Sequence, residues 1–300
     1  MNLIRKIQYN QNWNIGFCEL NPEELIRDKQ LKPVRWLKHP YRDRWFADPF
    51  IYKLSESEIV IFVEECPIEN PKGIICELVI DRKSMRLKAR YVMLELETHL
   101  SYPAIIRHDG KVYVYPENGA SGRLNIYEYD SKNHKLVNPV CVMEEAVADA
   151  SIIELDGHYY LSATKFPETE EKAFLFESDS LHSQFKQINE QPYQKDRCCS
   201  RQGGNWITVS NDIFRPAQDC VDRYGAGLSI MRSEIKGKFI KEKMLFSLKP
   251  NSWQYNLGLH TLNFYSGVCV IDGCGYLCPL LARVMLPIRY FIHFIMRVVR

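Results

Sequence analysis

Short apolar runs alternate with polar turns along the chain, and one pattern recurs five times. Each copy places a small or apolar residue before a polar or aromatic one, and mostly apolar positions follow in the first three copies. The second residues of successive copies are separated by 54, 47, 52 and 59 positions. Repeats of roughly this length indicate a repeat architecture such as a propeller. The five copies are Ala47–Tyr52, Ser101–Ile106, Ala148–Ile153, Ser200–Asn205 and Leu259–Phe264.

Further strand-like runs follow each copy, and Asp109-Gly110 and Asp156-Gly157 are strong hairpin turns between them. The predicted second strands are Ile59–Glu65, Lys111–Glu117, His158–Thr164, Asn211–Pro216 and Gly267–Asp272. Third strands are predicted in four repeats, at Ile74–Asp81, Arg123–Tyr129, Ala173–Ser178 and Gly227–Ser233. Outer strands are predicted at Arg90–Leu96, Pro139–Glu144 and Phe239–Phe246. Four short strands per repeat predict the blade of a propeller.

The fifth repeat ends after its second strand, and the run Trp13–Leu20 supplies the missing strand. Such an exchange closes the ring and removes an exposed sheet edge. Asn21 and Pro22 then indicate the start of a short helix. The sequence therefore predicts an all-β protein, a five-bladed β-propeller over residues 1–275. A β-sandwich is the alternative, although it does not predict five similar segments.

Residues 276–300 mix apolar and cationic side chains, and the last acidic residue of the chain is Asp272. Four cations of this tail fall in one sector of a helical wheel: Arg289, His293, Arg297 and Arg300. We expect a basic amphipathic helix on the membrane surface, because the uncharged stretches are too short to span a bilayer. A helix packed on the propeller or on a second subunit is the alternative.

Composition narrows the function without assigning it. A formal net charge of +2 and 25% charged residues exclude disorder and give no indication of nucleic-acid binding. Residues 1–13 contain no apolar segment typical of a signal peptide. We therefore expect a cytoplasmic protein, peripheral on the inner face of the plasma membrane. Its ten cysteines lack the spacing of a zinc site, so we expect free thiols and no metal.

The innermost strand of a propeller blade faces the axis, so the second positions of the repeats converge there. These positions are Asp48, Tyr102, Asp149, Arg201 and His260. Nearby candidates are Glu64, Glu65, His99, Glu117, Arg215, Gln218, Asp219 and Tyr224. Carboxylates, amides and cations with aromatic rings are suited to a carbohydrate, whose hydroxyls and apolar face they contact. The alternative for Asp48 and Asp149 is a structural role in turns.

Ala47-Asp48-Pro49, Asp149 and His260 resemble the five-bladed propeller glycoside hydrolases that include arabinanases and β-xylosidases. The resemblance implies that Asp48 is a general base and that Asp149 orients and tunes the acid. In that group the acid is a glutamate of blade four, where this chain has Arg201. Arginine cannot donate a proton near neutral pH, so Glu117 or Glu65 would have to act instead.

Five ordered motifs carry a closer resemblance, over roughly residues 13–273, to the N-terminal region of glucosamine inositolphosphorylceramide transferases and to short bacterial relatives. The motifs are Trp45-Phe46-Ala47-Asp48-Pro49-Phe50, His99-Leu100-Ser101-Tyr102-Pro103, Tyr115-Pro116-Glu117-Asn118, Phe214-Arg215-Pro216-Ala217-Gln218-Asp219-Cys220 with Tyr224-Gly225, and Gly258-Leu259-His260-Thr261. This resemblance implies sugar transfer onto a lipid-linked acceptor.

We therefore predict a membrane-associated glycosyltransferase that extends a lipid-linked glycan, as in capsule or other surface-polysaccharide biosynthesis. Asp48 would be the base, with Asp149 or Glu117 as the alternative, and Arg201 and Arg215 would bind donor phosphates. The sequence has neither an Asp-x-Asp motif nor a Gly-rich dinucleotide loop, so a nucleotide-sugar donor would bind without metal. A glycoside hydrolase and a non-catalytic glycan-binding module are the alternatives.

Overall fold

The protein is described here from a computed structural model that covers residues 3–285 and residue 287. Its strands form five four-stranded antiparallel sheets, each of which is one blade of a propeller. The predicted fold is confirmed, and the sandwich alternative is excluded.

The elements follow in chain order. The N-terminal ones are α1 (Leu3–Gln8), β1 (Asn12–Glu19), α2 (Pro22–Asp28) and β2 (Arg35–Trp36). Blade one contains β3 (Arg44–Leu54), β4 (Glu58–Pro67), β5 (Ile74–Asp81) and β6 (Leu87–Leu94). Blade two contains β7 (Ser101–His108), β8 (Lys111–Glu117), β9 (Leu124–Asp130) and β10 (Lys135–Met143). Blade three contains β11 (Val147–Leu155), β12 (His158–Lys165), β13 (Ala173–Ser178) and β14 (Lys186–Gln187). Blade four contains β15 (Ile207–Val209), β16 (Asp212–Asp219), β17 (Gly227–Lys236) and β18 (Phe239–Leu248), and β19 (Leu262–Tyr265) and β20 (Val268–Gly275) begin blade five.

Both ends of the chain build blade five, in the order β19, β20, β1 and β2. β1 pairs with β20 along its whole length, from Asn12 opposite Gly275 to Glu19 opposite Val268. The predicted closure by an N-terminal strand is therefore confirmed. The short β2 is a second contribution of the N-terminal region, and the sequence pattern did not predict it.

Blade four departs from the prediction, because its inner strand begins only at Ile207, after the repeated segment has ended. The chain here passes close to blade five. A Cβ atom added at Gly204 would lie 2.0 Å from the carbonyl oxygen of Leu262, and the residue has a φ of 147°. Arg201 consequently lies in the loop that leads to the inner strand, not within it.

The apolar core lies between the blades. One cluster joins the first three blades through large rings such as Phe50, Tyr115 and Phe176. A second joins blades five and one, and a third joins blades four and five. Burial of these side chains, each worth about 1.5–3 kcal/mol, stabilises the ring as a whole.

Beyond β20, residues 279–285 form a short helix, α3. Leu277 N donates to the carbonyl oxygen of Tyr9 at 3.0 Å, so this end of the chain adjoins the N-terminal segment. The predicted cationic sector lies outside the described residues: Arg289, His293, Arg297 and Arg300. Among the described residues no helix has the length and apolar character needed to cross a bilayer. All ten cysteines are free thiols, as expected.

Candidate functional site at the propeller axis

Blades one, two and three begin with the same distortion of the inner strand. Asp48, Tyr102 and Asp149 have left-handed φ angles of 50°, 44° and 47°. Each lies at a β-bulge, where the register with the second strand shifts. Because a bulge redirects side chains and interrupts the ladder, equivalent repeat positions meet at one end of the axis. We call this end, where the inner strands begin, the funnel end.

Each second strand contributes at least one buried polar side chain near the same end. These residues are Glu64, Glu117, Thr164, Gln218 and Asp272. The first three pair with the residue that precedes the bulge in their own blade. Sequence reasoning missed Thr164 and did not select Asp272. In each case a polar residue near the end of an otherwise apolar strand could have indicated a position at the axis.

Carboxylates at the funnel end join neighbouring blades by accepting hydrogen bonds from backbone N–H groups. Asp48 of blade one accepts from Tyr102 N of blade two at 3.1 Å. Glu117 of blade two accepts from Asp149 N of blade three at 3.0 Å, and Asp272 of blade five accepts from Asp48 N at 3.2 Å. Because bulge N–H groups lie outside the ladder, these contacts satisfy donors that would otherwise be buried unpaired. The acids thus have a structural role in addition to any chemistry.

Asp48 is the carboxyl whose environment best suits proton transfer near neutral pH. Its Oδ1 accepts from the Thr261 hydroxyl at 2.7 Å, and Nδ1 of His260 lies 3.8 Å away. Burial raises the pKa of Asp48 to about 7, an effect that the charge of His260 opposes and that Asp149 reinforces. A carboxyl with such a pKa is partly ionised at neutral pH and can accept or return a proton.

Arg201 lies between two carboxyls of the neighbouring blades. Its Nε donates to Asp149 Oδ2 at 2.6 Å, and its Nη2 donates to Glu117 Oε2 at 3.5 Å. Gln218 Nε2 donates to the same Asp149 oxygen at 2.7 Å. Burial, and then the charge of Asp149, raise the pKa of Glu117 well above its ordinary value, against the influence of Arg201. The arrangement is therefore an Arg201–Asp149 ion pair beside Glu117, a carboxyl whose burial favours its protonated form.

His260 completes the axis from blade five. Its Nδ1 lies 2.6 Å from Asp272 Oδ2, and its ring stacks on Trp13 with centroids 4.0 Å apart. Burial by itself would lower the pKa of His260, but the charges of Asp272 and Asp48 outweigh it and raise the pKa to about 9. His260 is therefore a cation at neutral pH, held by two acids.

Two groups within the described residues bring potential metal ligands together. Asp48, His260 and Asp272 form one group, and the other consists of Asp196, Cys198 and Cys199. In the first, the ligating nitrogen of His260 already faces a carboxylate and carries a proton near neutral pH. In the second, burial raises the pKa of both thiols, whereas metal binding requires thiolates.

Two predicted binding residues lie at the outer edge of this cluster. Tyr224 is 42% exposed, and its ring lies 5.2 Å from the guanidinium of Arg201 and 5.5 Å from the ring of His260. His99 accepts from Gly73 N at 2.9 Å through Nδ1, and its Nε2 lies 3.3 Å from Glu64 Oε1. This hydrogen bond to Glu64 raises the pKa of His99. Both side chains remain accessible to a ligand.

The predicted contributions of Glu65 and Asp219 are not supported, because each lies one residue past the funnel-facing position. Neighbouring strand residues point to opposite faces, so Glu64 and Gln218 face the axis instead. Glu65 Oε1 pairs with Arg44 Nη1 at 2.6 Å and also with Arg90, while Asp219 pairs with an exposed lysine.

Arg215 and Tyr102 are also displaced from their predicted roles, because neither side chain is exposed. Arg215 Nη2 lies 2.5 Å from Glu242 Oε2 of the outer strand, so it cannot contact a donor phosphate. The hydroxyl of Tyr102 lies 3.0 Å from Ser151 Oγ, so its ring offers no platform for a sugar. Tyr102 instead acts on the site through its backbone N–H.

Solved structures with a similar fold process carbohydrates. A family 117 glycoside hydrolase from Zobellia galactanivorans, Zg3597, is 11% identical with a TM-score of 0.56, over 91% of this chain and 92% of that chain. An α-L-arabinanase from Cellvibrio cellulosa is 14% identical with a TM-score of 0.51, over 66% of this chain and 77% of that chain. At these identities the likeness concerns the fold, and the predicted resemblance to arabinanase propellers is confirmed at that level.

Curated relatives are more informative than the fold. Glucosamine inositolphosphorylceramide transferase 1 from Arabidopsis thaliana is 24% identical over 250 residues, which are 76% of this chain and 32% of that protein. The protein of the same name from Oryza sativa subsp. japonica is 23% identical over 209 residues, 68% of this chain and 28% of its own. The chain thus spans about a third of the length of these relatives. Residues 35–250 match the family described as glucosamine inositolphosphorylceramide transferase 1, N-terminal, and the chain belongs to that family.

Proposed function

We propose that this protein is a glycosyltransferase that adds a sugar to a hydroxyl of a lipid-linked glycan. The family to which the chain belongs is named for a transferase, which supports this class of reaction. The observation that carries the proposal is Asp48, a buried carboxyl at the axis with a pKa of about 7. Arg201, which stands in blade four where the hydrolase propellers that the sequence resembles use an acid, favours transfer.

In the proposed reaction Asp48 takes the proton from the acceptor hydroxyl as that oxygen attacks the donor sugar. Thr261 and the backbone N–H of Tyr102 fix the orientation of the carboxylate. A base with a pKa near the working pH contributes about 10²–10⁴-fold to the rate of such a step.

The leaving group decides between transfer and hydrolysis. An ordinary glycosidic oxygen must be protonated as it leaves, whereas the phosphate of an activated donor already carries its charge. Arg201 cannot supply a proton, but a guanidinium stabilises an anionic leaving group at the same position. We therefore propose a nucleotide-sugar donor that binds without metal, with Tyr224 as a partly exposed ring over which the sugar lies.

The acceptor and its location complete the proposal. The apolar and cationic character of residues 276–300 supports attachment to an anionic membrane, where a lipid-linked acceptor is found. We propose that the protein acts on the cytoplasmic face of the plasma membrane, in capsule-like polysaccharide assembly.

One observation favours a second candidate, an inverting glycoside hydrolase. Burial raises the pKa of Glu117 well above its ordinary value, and its carboxyl accepts from Asp149 N at 3.0 Å, so Glu117 is placed to act as the acid that Arg201 cannot be. Asp48 would then activate water instead of an acceptor hydroxyl.

The test is to incubate the protein with a panel of labelled nucleotide sugars and lipid-linked acceptors, and separately with oligosaccharides. Label that enters the acceptor with the wild type but not with Asp48→Asn supports the transferase. Free sugar released from oligosaccharides supports the hydrolase. Glycan binding without turnover across the whole panel contradicts both and leaves a binding module.

A further inference from the structure

The exposed apolar side chains of the protein are unevenly distributed. Eleven large apolar residues are exposed in the part of the chain that the structure describes. Eight of them lie at the funnel end, in loops that leave a second or outer strand and in α3. The loop members are Phe166, Val221, Tyr224 and Trp253. Contiguous exposed apolar surface marks an interaction site, whereas scattered single residues do not.

Most of this surface lies on blades four and five. Val221 and Tyr224 share the loop between β16 and β17, and Trp253 lies between β18 and β19. They are 58%, 42% and 53% exposed. The ring of Tyr224 also contacts Arg201 and His260. This loop therefore connects the candidate site directly to the exposed apolar side chains of the funnel end.

α3 extends the same surface. Since β20 runs toward the funnel end, the chain leaves the propeller there and α3 begins beside those apolar side chains. Leu280, Val284 and Met285 are 68%, 61% and 51% exposed. The guanidinium of Arg283 lies 4.6 Å from the centre of the Trp253 ring, which ties α3 to the loop of blade five.

Charge indicates the partner. No acidic residue follows Asp272, and the chain after it contains four arginines and a histidine. Each basic residue close to an anionic bilayer contributes about 1 kcal/mol of attraction.

We infer that Val221, Trp253 and the exposed face of α3 form a docking surface for an anionic lipid bilayer, with the funnel opening beside the headgroups. The mouth of the site then faces the membrane, and a lipid-linked substrate reaches Asp48 without leaving the bilayer. This inference rests on the membrane association proposed above, but not on which reaction the funnel performs.

The experiment uses the full chain and vesicles of phosphatidylcholine with or without phosphatidylglycerol, some carrying brominated acyl chains. We expect bound protein to show quenching of Trp253 fluorescence by the brominated lipid, and Trp253→Phe to remove that quenching. Val221→Asp should weaken binding to the anionic vesicles about tenfold or more. The matched control is Phe239→Asp, because Phe239 is 78% exposed at the opposite end and should not matter.

Three results would overturn the inference. Flotation with the vesicles without quenching of Trp253 would mean that residues 288–300 bind the bilayer and the docking surface does not. Quenching that appears only after removal of residues 288–300 would mean that these residues cover the docking surface. A dimer in sedimentation that Val221→Asp dissociates would identify a second copy as the partner. If docking is found but no sugar transfer occurs even to a soluble acceptor, the proposed reaction fails and the docking surface stands.

Discussion

Blade four supplies the arginine of two buried arginine–carboxylate pairs that the sequence does not distinguish. Arg201 reaches Asp149 at 2.6 Å, and Arg215 reaches Glu242 at 2.5 Å. Arg215 has no exposed surface and also donates to the carbonyl oxygen of Cys199 at 2.7 Å, so it forms a closed pair. Arg201 is 8% exposed at the axis.

The difference lies in access and in the neighbouring groups. The closed pair ties the second strand of its blade to the outer strand, where no ligand can reach it. The axial pair has Glu117 beside it, whose pKa burial raises well above the ordinary value. A buried charge is therefore not evidence of function unless a substrate can reach it and a neighbouring group has a strongly shifted pKa.

The largest effect is expected at the axis. Asp48→Asn keeps the size of the side chain but removes the base, so the rate of sugar transfer should fall by about 10²–10⁴-fold. Initial rates with a labelled donor measure the effect, and thermal unfolding should show a folded protein. Transfer at more than a tenth of the wild-type rate would remove Asp48 from the mechanism.

The closed pair should affect stability instead. Arg215→Met leaves the carboxylate of Glu242 buried without its partner, so the free energy of unfolding should fall by about 3–5 kcal/mol. Urea denaturation measures it. The control is the double variant Arg215→Met with Glu242→Met, which should recover much of the loss because neither charge remains. An unchanged unfolding midpoint in Arg215→Met would show that the pair does not stabilise the blade.

The axis should also make stability depend on pH. His260 has a pKa of about 9 in the folded protein against an ordinary value of 6.5, so the folded chain holds a proton that the unfolded chain releases between these values. The free energy of unfolding should therefore fall as pH rises from about 6.5 to 9, by on the order of 3 kcal/mol. Denaturation across this range should show the slope in the wild type and a flatter profile in His260→Gln. Equal slopes would contradict the proposed protonation of His260.

The smallest effect is expected at the surface, where Lys249 pairs with Asp219 beside the funnel-facing Gln218. The lysine is exposed, so Lys249→Ala should change the free energy of unfolding by less than about 1 kcal/mol. Transfer kinetics should also stay near those of the wild type. A large loss of donor affinity in Lys249→Ala would instead indicate that Asp219 and Lys249 belong to the binding site.

The repeated sequence segment predicts the fold and the axial positions, because the copies in blades one to three build the same inner strand with its bulge at the same place. Asp48 and Asp149 occupy the same left-handed bulge in two blades, and an equivalent sequence position therefore predicts an equivalent place. Blade closure was also predictable, since an incomplete fifth repeat requires another strand. The short β2 carries too few residues for any periodic pattern to reveal it.

What the sequence did not reveal depends on side-chain direction. Glu65 differs from the axial Glu64 by one residue, and only the register of β4 decides which of them faces inward. Arg215 has its partner Glu242 on another strand, so spacing along the chain could not indicate a closed pair. Asp272 looked like the end of a strand, although its carboxylate orders both His260 and Asp48.

The pH dependence of kcat/KM for sugar transfer tests the central claim most directly, because it reports the ionisation of the free enzyme. Asp48 must be ionised to act as the base, and burial raises its pKa to about 7. We therefore predict that kcat/KM rises with pH through an acid limb centred near 7. A limb near pH 4, or a flat profile between pH 5 and 8, would contradict the assignment of Asp48 as the base.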